Sequence, residues 1–96
     1  MPRPSDNWIP TRWDMVPVKS RRSPDIHIDR SFQRDHATRF AVRQGSSCLS
    51  TTGEWEYEPF PSSRDDEFLR RCRFETFEEA VAAVERTEEF HDAKAE

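Results

Sequence analysis

The stretch RFAVRQGSSCLSTTGEWEYEP, residues 39–59, decides the fold. It holds three short alternating runs separated by two turn signals. Arg39 to Arg43 sets Phe40 and Val42 on one face and the arginines on the other, which is the period of a half-buried strand. Gln44-Gly45-Ser46 supplies a turn, Cys48-Leu49-Ser50 a second short strand, and Thr51-Thr52-Gly53 a second turn. Glu54-Trp55-Glu56-Tyr57-Glu58 then alternates without interruption, so Trp55 and Tyr57 are expected on the core face and the three glutamates in water. Pro59 and Pro61 end the run, because proline has no N–H to give a sheet ladder.

C-terminal to this meander the signals are helical. Ser62 and Ser63 precede Arg64-Asp65-Asp66-Glu67, a hydroxyl cap followed by acids, and free amide donors favour both at a helix start. Arg71 to Glu75 alternates again. The spacing therefore predicts a short helix near 63–69 and a fourth strand at 71–75, with one helix across 63–73 as the competing reading. Thr76 and Glu79 form a T-x-x-E capping box. Phe77, Ala80, Val81, Val84 and His91 follow helical spacing, while Glu78, Glu79, Glu85, Arg86 and Glu89 cover the rest. A helix over 76–89 is predicted, fraying near 88–92 and followed by a polar tail at 93–96. The expected core is Phe40, Trp55, Tyr57, Phe74, Phe77 and Val84.

N-terminal to the meander the chain changes character. Residues 1–45 hold nine Lys/Arg against five Asp/Glu, and residues 46–96 hold six against fourteen, so the halves carry about +4 and −8. Five of the seven prolines fall in the first half. They deny backbone donors and push their predecessors into extended conformations. Asp25 to Asp29 carries a brief strand signal, with Ile26 and Ile28 on one face. The expected organisation is an extended Pro/Arg/Trp-containing arm at 1–38, a compact acidic body at 39–92 and the tail. The expected class is α+β, a three- or four-stranded antiparallel sheet with one C-terminal amphipathic helix packed on one face. Only 17 of the 96 residues are Leu, Ile, Val or Phe, so eleven aromatics, each worth ~150–250 Å² of burial, must carry much of the core.

The run FAVRQGSSCLSTTGEWEYEPFPSSRDDEF, followed by RFETFEEA, resembles small uncharacterised accessory proteins encoded by phages of high-GC actinobacteria. It covers residues 40–80. The resemblance implies a viral accessory protein acting in a bacterial cytoplasm. Its matching features are strand and cap residues, so it assigns no functional residue.

Several chemistries are disfavoured by residue spacing alone. Cys48 and Cys72 have no close pairing, and with His27, His36 and His91 they form no C-x₂₋₄-C or H-x₃₋₅-H pair, so no metal site is expected. The two cysteines read as small buried apolar residues in a reduced, cytoplasmic setting. No nucleophile elbow or glycine-rich phosphate loop is present, with two glycines in the chain, and neither catalysis nor a cofactor is expected. No apolar run is long enough for a membrane span. Oligomeric state stays open.

Three binding readings remain. The arm carries Trp8, Trp13, Arg21 and Arg22, together with Arg12, Lys19, Arg30, Arg34, Arg39 and Arg43, a basic and aromatic pattern able to contact phosphates and stack bases. Glu54, Glu56 and Glu58 form an acidic strand face that could imitate a nucleic acid and occupy a basic groove. Proline-spaced tryptophans also serve as anchors in extended protein-binding segments. The preferred reading is non-enzymatic binding of a host bacterial protein, to modulate or inhibit it. The partner-binding candidates are Trp8, Trp13, Arg21, Arg22, Glu54, Glu56 and Glu58, and the alternatives are a nucleic-acid-binding arm or an acidic DNA mimic.

Overall fold

A computed structural model of the protein describes residues 8–32 and 38–94, with side chains through Asp92. Arg34 and His36, the first seven residues of the expected arm and residues 95–96 of the tail lie outside this range. Five strands form one antiparallel sheet in chain order: β1 (Arg12–Met15), β2 (Ile26–Phe32), β3 (Thr38–Gln44), β4 (Ser47–Leu49) and β5 (Trp55–Tyr57). A single 3₁₀ turn at Pro61–Ser63 leads to α1 (Asp66–Arg71), α2 (Phe77–Glu85) and α3 (Glu88–Lys94). The class is α+β, with five strands where three or four were expected.

The meander is built from the signals in residues 39–59. Gly45 closes the β3–β4 hairpin at φ +60°, a conformation that costs glycine little and other residues more. The expected fourth strand at 71–75 shrinks to one bridge. Phe40 and Phe74 exchange N–H···O bonds of 2.8 Å in both directions.

The N-terminal division corrects the sequence reading. Residues expected in an arm outside the body form β1 and β2, and β2 lies inside the sheet between β1 and β3. Register explains why. Trp13 stands opposite Ile28, which stands opposite Val42, and Met15 stands opposite Ile26. One face of the sheet thereby gains a continuous apolar row that no three-stranded version would have.

Helix α2 covers that row. Its Ala80, Ala83 and Val84 are buried against Ile26, Ile28, Phe40, Val42, Leu49 and Phe74. Trp13, Phe40 and Phe77 form an aromatic cluster, with Trp13 and Phe77 centroids 4.7 Å apart. Of the expected core, Phe40, Phe74 and Val84 are buried, and Trp55 and Phe77 are half-buried against it. Tyr57 is the exception at 67% exposed. Its strand is the outer one, and α2 packs on β2 and β3 instead.

Thr76 caps α2 as expected, whereas α1 begins later than expected, capped by Asp65 rather than by Ser62 or Ser63, which lie in the 3₁₀ turn. Asp65 Oδ1 accepts from Phe68 N–H at 2.8 Å, and Thr76 Oγ1 accepts from Glu79 N–H at 3.1 Å. Where fraying was expected, the chain instead turns into α3. Buried Thr87 makes the join, donating through Oγ1 to Val84 O and accepting there from Phe90 N–H.

Candidate interaction surface

The opposite face of the sheet is charged. Strand alternation places Asp14, His27, Arg43, Cys48 and Glu56 in one row across all five strands, on the side away from α2. Over β4 this row is covered by α1, whose buried Phe68 packs with Cys48 and Cys72. Both cysteines are buried free thiols.

Glu58 is the centre of this face. Its side chain is only 7% exposed. Arg43 binds it bidentately, Nη2 donating to Oε2 at 2.6 Å and Nε to Oε1 at 3.2 Å. Arg73 does the same through Nη2 at 2.9 Å and Nη1 at 3.3 Å. Arg64 adds a third guanidinium at 2.7 Å. Arg43 also reaches Asp29 at 2.6 Å, and Asp29 accepts a contact from His27 at 3.0 Å. Burial pushes the Glu58 carboxyl upward, but hydrogen bonds from Arg43 and Arg73 outweigh it and hold the group at about 2. Arg43 is lifted above its ordinary value: burial opposes its charge, and the bonds to Glu58 and Asp29 prevail. Arg73 is almost wholly enclosed, lies over the Phe68 ring at 5.6 Å, and keeps Nε without a hydrogen-bond partner.

The seven sequence-predicted residues separate accordingly. Among Glu54, Glu56 and Glu58, only Glu54 is exposed. Glu56 is held by Arg71 Nε at 2.8 Å, which lowers its pKa, and Glu58 is the buried anchor. The expectation that all three face water is corrected: alternation put them on one face, and α1 with its arginines covers that face. Trp8 is exposed, whereas Trp13 is half-buried in the domain's own aromatic cluster, with Arg30 stacked on its ring at 5.5 Å. Arg21 and Arg22 lie exposed in the β1–β2 connection, far in sequence from the glutamates.

What sequence reasoning missed is the pair flanking Glu58. Tyr57 is 67% and Phe60 75% exposed. The backbone between and beyond them is tied down. Glu58 N–H donates to Ser46 O at 3.0 Å, Ser63 N–H to Phe60 O at 2.8 Å, and Arg64 Nε to Pro59 O at 3.0 Å. Pro59 and Pro61 fix two further φ angles. An aromatic residue set between two prolines was the available signal for Phe60.

A cavity of about 80 Å³ lined by Ser50, Thr52, Ala83, Arg86 and Thr87 is well below the ~300–1,000 Å³ of small-molecule sites. Among the described residues no three His, Cys, Asp or Glu side chains are placed to hold a metal ion, and no helix is long and apolar enough to cross a membrane. No family model matches the chain, and neither does any curated protein or solved structure.

Proposed function

We propose that this is a non-enzymatic protein-binding protein whose contact surface is centred on Tyr57 and Phe60. The observation that carries the reading is two exposed aromatics, Tyr57 one residue before and Phe60 two residues after Glu58, whose carboxylate is anchored by three arginines. Aromatic side chains dominate binding hot spots, and a segment already rigid before binding loses little entropy on association. Exposed Glu54, Asp65, Asp66 and Glu67 lie close by in sequence, so the matching partner surface is an apolar pocket with a basic rim. In line with the resemblance to actinobacterial phage proteins, we take the partner to be a host bacterial protein, modulated or inhibited in the host cytoplasm.

The two alternatives lose support from specific pairings. A DNA mimic needs free carboxylates, yet Glu56 and Glu58 are neutralised by arginines. A nucleic-acid arm needs free cations and bases stacked on tryptophan, yet Arg30, Arg43 and Trp13 are committed to internal contacts.

The test is affinity capture from bacterial lysate, with and without nuclease, using wild type, Tyr57→Ala/Phe60→Ala and Arg21→Ala/Arg22→Ala. A nuclease-resistant partner that binds the arginine variant normally, and the aromatic variant roughly 30-fold or more weakly, is the expected result. Equal capture by the aromatic variant at an unchanged melting temperature would overturn the assignment, as would a partner lost on nuclease treatment.

A further inference from the structure

We infer that two copies of this chain associate through the outer edge of β1, forming an antiparallel β1–β1 pair about a two-fold axis at Trp13. The inference is independent of the Tyr57–Phe60 surface, which lies on the other edge of the sheet.

The backbone parity comes first. Arg30 N–H donates to Thr11 O at 2.8 Å, so the odd residues of β1 point their backbone groups at β2. Alternation then turns the N–H and C=O of Arg12 and Asp14 outward. Arg30 fits the same parity on its other side, because opposite Phe40 it leaves that residue's N–H and C=O to Phe74. Among the described residues β1 is an edge strand with no partner beyond it. An open edge is a template for another strand.

The side chains select the partner. Arg12 and Asp14 lie on one face, exposed, 3.3 Å apart. Centring the pair on Trp13 sets Arg12 opposite Asp14 of the second copy, and Asp14 opposite its Arg12. All four outward groups at those positions then find partners, giving four backbone hydrogen bonds and two cross-strand charge pairs. The sequence Arg-Trp-Asp is therefore complementary to itself when reversed. Pro10 limits the ladder: it has no N–H, and its carbonyl already accepts from Arg30 Nε at 2.8 Å.

Exposed apolar groups border the same short edge. Trp8 and Ile9 precede it, and Val16 and Val18 follow. The two-fold brings the Trp8–Ile9 end of one copy to the Val16–Val18 end of the other. Apolar area that is solvated in one copy is thereby covered in two.

Sedimentation equilibrium over a concentration series tests this. The expected mass rises with concentration from 11.4 kDa toward twice that value. Asp14→Arg should weaken association roughly tenfold or more, since two attractive cross-strand pairs become two repulsive ones. The swapped variant Arg12→Asp/Asp14→Arg should associate like wild type but fail to form mixed dimers with it. Circular dichroism and a thermal melt establish that each variant is folded; should Asp14→Arg be unfolded, Asp14→Lys and the swapped variant make the same comparison. A mass that stays at 11.4 kDa throughout would overturn the inference. So would a dimer that the charge reversal leaves unchanged. Tyr57→Ala/Phe60→Ala should leave the dimer intact.

Discussion

The two faces of one sheet are held by opposite means. Toward α2, Ile26, Ile28, Val42, Leu49 and Val84 are at most 1% exposed and offer no polar group; they need only be apolar and of the right volume. Toward α1, residues one position along the same strands form a charged cluster in which each member depends on another. Glu58 takes three arginines, Arg43 divides itself between Glu58 and Asp29, and Asp29 also meets His27. Apolar contact is additive and forgiving. A buried charge network is conditional, because removing one member leaves the others desolvated and uncompensated. The first face holds the domain together, and the second fixes the direction in which residues 57–64 leave the sheet.

The largest expected effect lies on the apolar side. Ile28→Ala should cost ~2–5 kcal/mol in a denaturant titration, by the same amount at pH 7 and pH 3. A loss well under 1 kcal/mol would mean the row under α2 is not the main support.

The charged face should show itself through acid. Glu58 sits at about 2 against an ordinary 4.5, so the folded state favours its charged form. Its stabilisation is complete above about 4.5 and is lost as the pH falls through about 2. The difference corresponds to about 3 kcal/mol. Glu58→Gln should cost about the same at pH 7 and should remove most of the acid dependence over that window. A variant with an unchanged acid profile would show that other carboxylates carry it.

The smallest effects belong to the caps. Thr76→Ala loosens α2 and Asp65→Ala loosens α1, each by ~1 kcal/mol. The two serve opposite faces, so their costs should add in the double variant. A clear departure from additivity would show that the faces are coupled through the sheet.

Much of this comparison was legible before any coordinates. Alternation in residues 39–58 marked three strands and sorted Glu56 and Glu58 from Trp55 correctly. Thr76 marked the start of α2, whereas the cap of α1 is Asp65 and not the expected Ser62 or Ser63. What alternation does not say is which part of a face is covered. Glu54 and Glu58 are equivalent by pattern, yet one is in water and the other beneath three guanidinium groups, because α1 and the 58–64 segment close over one end of the strand. Tyr57 failed for the converse reason, lying beyond the reach of α2. β1 carries a strand signal of its own. Arg12-Trp13-Asp14-Met15 alternates as cleanly as any strand in the chain, but prolines on both sides made it resemble an arm.

The pairing of Cys48 with Cys72 gives the chain an internal clock. Burial, and after it the neighbouring Cys72, pushes the Cys48 thiol up to about 12. At neutral pH only ~1 in 10⁵ such groups is a thiolate, the form that reacts. Alkylating reagents therefore find no target in the closed molecule. Cys72 caps the end of α1 and Cys48 lies on β4 beneath it, so a reagent reaches either thiol only after the two elements separate, alone or with the rest of the domain. With reagent in enough excess that alkylation outpaces reclosing, the rate of labelling reads how often the cysteines are uncovered, by local or by global opening.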